Sequence, residues 1–291
     1  FVHPGYFNRG HYRFGGAVIG FIAAETGLSM AADLQPVFQK ARSEGRIVLI
    51  GYLPAGYPTP ARFLKLVETA FTSGLDILEI GLPTRHPFLD GEIIRAAMAQ
   101  VNSQGVTVDD ALTLGGEALA QTRSAGFAMM YADTLAGYGQ EQLLLRCQQL
   151  GISGVLPLGM AEAAWQDFAA RARQYQVAPI GFLTPQTDWP SQQAISRRAG
   201  GFIYLQSQAG PTGQPGEFGH EIKERIAQAR SGGGPTPLPV AVGFGVHSAE
   251  DVQRIRTMGA DGVIVGTTFV EAASQGRQAL GQLVRRLAKA A

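Results

Sequence analysis

The stretch Leu75-Asp76-Ile77-Leu78-Glu79-Ile80-Gly81 contains a short apolar run, Ile77 to Gly81, that is interrupted by the carboxylate of Glu79. A nearly continuous apolar run is typical of a parallel strand that is covered on both faces. Burying a carboxylate in such a strand costs free energy, so its presence there indicates a functional role. The run therefore predicts a buried strand and indicates that Glu79 is a candidate functional residue.

Similar apolar runs recur along the chain and alternate with helix-length amphipathic segments. With Ile77 to Gly81 they number about eight, the count expected of a (β/α)8 TIM barrel. An open doubly wound sheet is the competing fold, but no Gly-x-Gly-x-x-Gly pattern follows the first run. The sequence therefore predicts a barrel. Its other strand-like runs are Ile47 to Leu53, Phe127 to Tyr131, Gly154 to Leu158, Pro179 to Leu183, Phe202 to Leu205, Pro239 to Gly243 and Gly262 to Val265.

Two segments precede the first predicted strand. Residues 1–29 are rich in glycine and aromatic residues, and we expect a peripheral extension of unknown role there, with a secretory signal as the alternative. Residues 31–46 have helical periodicity, so we expect an extra N-terminal helix that covers the bottom of the barrel. The domain prediction is an extension over 1–29 and a single barrel domain over 30–291. The apolar face of the predicted helix carries Leu34, Val37, Phe38 and Ala41.

Composition limits the classes of partner and cofactor. The formal net charge is +1, and no basic stripe stands out, which argues against broad binding to nucleic acid or to a membrane surface. Cys147 is the single cysteine, so an internal disulfide is excluded. The 5 histidines are scattered without ligand spacing, which makes a metal site improbable. We expect a cytoplasmic protein without a metal ion.

Asp90 supplies a second carboxylate close to Glu79. It lies in the loop 82–91, directly before a helix-like stretch that begins at Glu92. Two carboxylates near the end of one strand can face each other across a pocket, and carboxylates in different environments are the usual means of acid–base chemistry near neutral pH. The alternative for Glu79 is a structural role, either paired with Arg85 or a distant lysine or pointing outward. Asp90, together with Tyr204 at the end of the sixth predicted strand, favours the catalytic interpretation.

Three late loops are rich in glycine. They follow the sixth, seventh and eighth predicted strands at 207–213, 243–248 and 266–268. In a TIM barrel the loops after the strands carry function. Glycine lets backbone N–H groups approach an anion closely, and a helix N-terminus adds a favourable dipole. The loops therefore predict a cradle for a small phosphorylated ligand. The candidate substrate-binding residues in these loops are Thr212, Gly213, Phe244, Gly245, Gly266 and Thr267.

A set of short segments resembles the signature segments of the tryptophan synthase α subunit family. The segments occur in the order and spacing of that family, from about residue 33 to the C-terminus. No single segment is specific, but the combination is. The segments are residues 52–58, 77–91, 201–207, 210–213, 243–245 and 260–266.

The resemblance implies a fold, an activity and a set of site residues. The family is a (β/α)8 barrel that cleaves indole-3-glycerol phosphate to indole and glyceraldehyde 3-phosphate by a retro-aldol reaction, without metal or organic cofactor. Glu79 would be the general acid–base, and Asp90 would accept the indole N–H hydrogen bond. The walls of the indole site would include Tyr52, Met129 and Tyr204, and the phosphate-binding positions would include Gly213, Gly245, Gly266 and Thr267.

The chain departs from the family pattern at the loop after the second predicted strand. Arg85-His86 stands where the family usually has Ser-Asp, and the lost aspartate belongs to the surface that meets the β subunit. The resemblance implies a tryptophan synthase β subunit as partner, and this replacement puts that partner in question. Two alternatives stay open: a stand-alone indole-3-glycerol phosphate lyase, and a non-catalytic regulatory relative that keeps the phosphate cradle.

Overall fold

The computed structural model describes residues 11–14, 17–20, 33–207, 220–233 and 237–291. Strands β1 (His11–Phe14) and β2 (Ala17–Gly20) form an antiparallel hairpin. In chain order the further elements are α1 (Gln35–Ser43), β3 (Val48–Pro54), α2 (Pro60–Thr72), β4 (Ile77–Gly81), α3 (Glu92–Ser103), α4 (Val108–Thr122), β5 (Ala125–Tyr131), α5 (Ala132–Tyr138), α6 (Gln140–Leu150), β6 (Gly154–Leu158), α7 (Glu162–Gln174), β7 (Ala178–Pro179), β8 (Gly181–Leu183), α8 (Trp189–Arg198), β9 (Ile203–Gln206), α9 (His220–Gly232), β10 (Val240–Gly243), α10 (Ala249–Thr257), β11 (Gly262–Val265), α11 (Thr267–Gln275) and α12 (Arg277–Ala288).

The parallel strands close into a barrel. Their order is β7-β6-β5-β4-β3-β11-β10-β9-β8, and every neighbouring pair is parallel. Only Ile180 separates β7 from β8, so these are two pieces of one strand. The first piece pairs with β6 and the second with β9, which joins the two ends of the sheet. The predicted (β/α)8 barrel is confirmed.

Helix α1 covers the N-terminal end of the barrel. Phe38 is buried, and its ring lies 5.5 Å from that of Phe202, which in turn packs 5.4 Å from Phe127. The side chain of Gln35 donates a 2.6 Å hydrogen bond to the carbonyl of Gly201. These contacts confirm the extra N-terminal helix. The domain boundary predicted at residue 30 falls outside the described residues and stays a prediction.

The pairing register places Glu79 inside the barrel at the level of Tyr52. The two residues are register partners on β4 and β3, so their side chains leave the same face of the sheet. The loop after β4 brings the chain to Asp90, and α3 then begins at Glu92, as predicted. Among the described residues, no helix is both long enough and apolar enough to cross a membrane.

Candidate active site

A cavity lies at the C-terminal ends of the barrel strands. The loop residues that follow β4, β10 and β11 line it together with side chains from the strands. The structure gathers here every predicted site residue that it describes, whereas Thr212 and Gly213 fall in the stretch 208–219 outside the described residues. The predicted residues around the cavity are Tyr52, Glu79, Asp90, Met129, Tyr204, Phe244, Gly245, Gly266 and Thr267.

Glu79 is a deeply buried carboxylate without a counterion. Its residue is 3% exposed, and none of the ion pairs found in the described part of the chain involves it. Arg85, the neighbouring arginine, is exposed instead. Burial raises the pKa of Glu79 to about 8, and the nearby charge of Asp90 adds to the increase. In the described part of the chain Glu79 therefore has neither an outward side chain nor an ion pair with Arg85 or a distant lysine, the arrangements that the structural alternative requires.

Asp90 is buried at the same cavity, but it has hydrogen-bond support. The hydroxyl of Tyr131 donates to its Oδ2 over 2.9 Å. Burial raises the pKa of Asp90 to about 6, while the Tyr131 hydrogen bond and the positive charge of Arg95 both act to lower it. Asp90 therefore loses its proton at lower pH than Glu79. Two carboxylates with different proton affinities can act as an acid and an acceptor in one site.

Two tyrosine rings in the cavity wall lie directly over glycines. The Tyr52 ring packs over Gly81 on β4, and the Tyr204 ring packs over Gly243 on β10. A Cβ atom added at Gly243 would lie 2.5 Å from the Tyr204 hydroxyl, so only glycine allows this approach. The ring of Phe182 packs edge-on against Tyr204 with 5.4 Å between centroids. The result is an apolar, aromatic wall that suits a flat aromatic ligand.

The loops after β10 and β11 form the part of the cavity that suits an anion. Helix α11 begins at Thr267, directly after Gly266, and its first turn opens at the cavity. The Thr267 hydroxyl is buried and has no hydrogen-bond partner among the residues that the structure describes. Gly245, on the neighbouring loop, also lines the space. A helix N-terminus with an unsatisfied hydroxyl is a favourable place for a phosphate group. Phosphate binding at these residues stays a prediction.

Several further residues belong to the site, although the sequence pattern did not select them. Leu156 and Leu158 are two positions apart on β6, and this spacing puts both side chains on the inner face. Tyr131 stands in the same relation to Met129 on β5, so the strand period could have identified it. The other unselected lining residues are Leu89, Ile94, Phe182, Val246, His247 and Ile264.

The described ranges contain no group of three or more His, Cys, Asp or Glu residues that could hold a metal ion. Each carboxylate of the cavity instead has aromatic or apolar neighbours, such as Tyr131 beside Asp90. The polar groups that line the cavity include two titratable carboxylates, tyrosine hydroxyls, the Thr267 hydroxyl and the His247 imidazole.

Comparisons with known proteins agree with this geometry. A family profile described as tryptophan synthase alpha chain matches residues 38–291. The tryptophan synthase alpha chain of Methanopyrus kandleri is 31% identical over 82% of this chain and 85% of its own length. That of Streptomyces avermitilis is 32% identical over 88% and 93% of the two chains. A chain of Mycobacterium tuberculosis tryptophan synthase superposes with a TM-score of 0.82 at 29% identity, covering 89% of this chain and 98% of that chain. The chain belongs to the tryptophan synthase alpha chain family.

Proposed function

We propose that the chain is a lyase of tryptophan biosynthesis that cleaves indole-3-glycerol phosphate to indole and glyceraldehyde 3-phosphate. The observation that carries this proposal is the pair Glu79 and Asp90. Both carboxylates are buried at one aromatic-walled cavity, and they differ in proton affinity. Family membership supports the same reaction. A cytoplasmic location fits this role and stays a prediction.

Glu79 performs the proton transfers of the reaction. With a pKa of about 8 it is protonated near neutral pH and can give its proton to the indole carbon that carries the glyceryl chain. The resulting carboxylate accepts the proton of the hydroxyl on the adjacent chain carbon. The carbon–carbon bond then breaks, its electron pair returns to the indole ring, and the hydroxyl carbon becomes the aldehyde. One proton enters and one leaves, so Glu79 ends the cycle protonated.

Asp90 stabilises the ring during these steps. With a pKa of about 6 it is mostly ionised near neutral pH and can accept a hydrogen bond from the indole N–H. Protonation of the ring carbon makes the ring nitrogen cationic, so the carboxylate interaction is stronger in the transition state than in the ground state. An interaction of this kind accelerates the reaction instead of only tightening substrate binding.

The residues beyond the carboxylates hold the two ends of the substrate. Tyr204 and Phe244 offer aromatic faces to the indole ring. The first turn of α11 and the Thr267 hydroxyl receive the phosphate through N–H and O–H donors. Binding at both ends fixes the reacting carbon beside Glu79, which supplies the orientation that the reaction needs.

The experiment is an indole-release assay on the purified full chain. We expect indole and glyceraldehyde 3-phosphate in equal amounts from indole-3-glycerol phosphate. The dephosphorylated analogue, indole-3-glycerol, is the substrate control and should react far more slowly because it cannot use the phosphate end. Tight binding of indole-3-glycerol phosphate without any product would contradict the lyase and favour the regulatory alternative.

A β subunit is the partner that we propose for this chain. The support comes from the family and from its solved relative, which is a tryptophan synthase. The rim of the barrel differs from the usual pattern at His86, whose Nδ1 lies 3.0 Å from Oδ2 of Asp133. Both side chains are exposed, so a partner can reach them. Size-exclusion chromatography with a β subunit, with and without His86→Asp, tests whether this pair permits the complex.

The same contact between His86 and Asp133 favours a second candidate, a stand-alone lyase. His86 already has an acidic partner within its own chain, so its side chain need not pair across an interface. Full indole release without a β subunit, and no complex in either His86 form, would favour this candidate. Stimulation of indole release by a β subunit would argue against it.

A further inference from the structure

Phe244 has a backbone conformation that bulky residues rarely adopt. Its φ is +72°, in the left-handed region, and Gly245 follows with φ of +75°. A left-handed conformation costs an ordinary residue free energy and persists only where surrounding contacts enforce it. Phe244 also faces the cavity, with its ring 6.1 Å from that of Tyr204. Some contact must therefore hold the loop after β10 in this shape.

Ser207 makes that contact. It follows β9, and its hydroxyl donates to the carbonyl of Phe244 over 2.5 Å. Its backbone N–H donates to the carbonyl of Gly243 over 2.9 Å. The two hydrogen bonds therefore hold the carbonyl groups of two consecutive residues, Gly243 and Phe244. Both Ser207 and Phe244 are buried, so water does not compete freely for these groups.

Arg225 holds Ser207 in turn. It projects from α9, is buried, and donates from Nη1 to the carbonyls of Gln206 at 2.9 Å and Ser207 at 3.3 Å. Bonds from a charged donor are stronger than those between neutral groups. The end of β9 is therefore anchored from outside the barrel by α9 and linked to the loop after β10 by the Ser207 hydroxyl.

We propose that Ser207 is a positioning residue for the lyase reaction: through its bond to Phe244 it keeps the aromatic wall and the Gly245 amide in place for the substrate. The inference rests on the proposed function for its substrate and adds a residue to it. The Ser207 hydroxyl donates its hydrogen to Phe244 and so acts through the loop after β10. Loss of this hydrogen bond weakens contacts to the substrate that exist both before and during the reaction. Substrate affinity therefore falls and the rate of the chemical step changes little.

The test compares Ser207→Ala with Ser207→Thr, which keeps the hydroxyl. For Ser207→Ala we expect KM for indole-3-glycerol phosphate to rise about tenfold, the value of one hydrogen bond near its upper limit, with kcat nearly unchanged. The dissociation constant for glycerol 3-phosphate, measured by calorimetry, should rise by a similar factor. Ser207→Thr should restore both. The matched control is Ser231→Ala, which removes an exposed serine hydroxyl on α9 that donates to the carbonyl of Gln228 and should change neither constant.

A crystal structure of Ser207→Ala gives a readout that does not depend on activity, with Phe244 expected to leave the left-handed region. If the alanine variant does not fold, Ser207→Cys, which weakens the donor at similar volume, takes its place with the same expectations. Unchanged constants together with an unchanged Phe244 φ would overturn the proposal, as would equal losses in the alanine and threonine variants. A wild-type chain that binds glycerol 3-phosphate but releases no indole would contradict the proposed function and not the role of Ser207. Glycerol 3-phosphate binding and the Phe244 conformation would still test the hydrogen bond from Ser207 to Phe244.

Discussion

Tyr131 fixes Asp90 and the backbone beside it with one hydroxyl group. The phenol donates to Asp90 Oδ2 over 2.9 Å, and its oxygen accepts the backbone N–H of Leu89 over 3.3 Å. The ring of Phe88 packs against the Tyr131 ring with 4.9 Å between centroids. Because Tyr131 belongs to the barrel strand β5, a rigid element sets the orientation of a loop carboxylate. Catalytic groups held in this way lose little orientation during the reaction.

Tyr131→Phe should shift the pH dependence of the reaction. The lost hydrogen bond stabilises ionised Asp90, so its removal raises the pKa of Asp90 further above about 6. We expect the acidic limb of the kcat/KM profile to move up by about one pH unit, since a hydrogen bond to a charged group is worth roughly that much. A pH profile of indole release measures the shift.

Tyr138→Phe is the matched control for that experiment. The Tyr138 hydroxyl also donates to an aspartate, Asp109, over 3.0 Å, but neither residue lines the cavity. Its removal should leave the acidic limb in place. A shift of equal size in both variants would mean that the limb does not report Asp90.

Stability should fall with rising pH because of Glu79. The folded-state pKa is about 8 and the ordinary value is 4.5, so the folded chain holds a proton that the unfolded chain has lost between these pH values. The contribution of protonated Glu79 to the free energy of unfolding is fully present below about pH 4.5 and is lost as the pH rises through about 8. Glu79→Gln removes this dependence and should stabilise the protein most at alkaline pH. Denaturant unfolding at several pH values measures it, with the exposed Glu92→Gln as control. A parallel pH dependence in wild type and Glu79→Gln would contradict the raised pKa.

Thr267→Val should separate binding from stability. The buried hydroxyl has no partner in the described part of the chain, so its loss should leave thermal unfolding unchanged or slightly improved. If the hydroxyl donates to the substrate phosphate, KM should rise about tenfold or more. Thr72→Val, at an exposed hydroxyl on α2, is the control and should change neither the thermal unfolding nor KM. An unchanged KM in Thr267→Val would remove this residue from the phosphate site.

Gly243→Ala should disturb the aromatic wall. The added methyl group meets the Tyr204 ring, so either the tyrosine or β10 must move. We expect a loss of stability of about 1–3 kcal/mol, typical of overpacking, together with weaker substrate binding. Gly137→Ala, where a Cβ meets nothing within 4 Å, should be neutral in both respects. Chemical denaturation and KM measurements compare the two, and a neutral Gly243→Ala would contradict the close packing.

The sequence predicted the strands well because burial on both faces leaves a plain signal. The runs at Ile77–Gly81, Gly154–Leu158 and Gly262–Val265 coincide with β4, β6 and β11. The break at Ile180 was not predictable in the same way. The break lies where the fifth barrel strand changes its pairing from β6 to β9, and the local sequence does not indicate which neighbour each part of the strand meets.

The site was predicted less completely than the fold. Position within a strand can indicate which face Tyr131 occupies, but not that its hydroxyl reaches Asp90, 41 residues away in the chain. The contact of His86 with Asp133 likewise joins the loop after β4 to the first turn of α5, 47 residues away in the chain. The local sequence does not indicate the left-handed backbone at Phe244, because the hydrogen bond to it comes from Ser207 in another loop. The roles assigned to Thr212 and Gly213 stay predictions.

The most direct test of the central claim is the rate of indole release from indole-3-glycerol phosphate by Glu79→Gln, beside Glu92→Gln and the wild-type chain. Glutamine keeps the size of the side chain but can neither give nor take the proton. The account predicts a loss of roughly 100-fold or more in kcat for Glu79→Gln, the usual value of general acid–base catalysis, and no loss for Glu92→Gln. Wild-type rates of indole release in Glu79→Gln would contradict it.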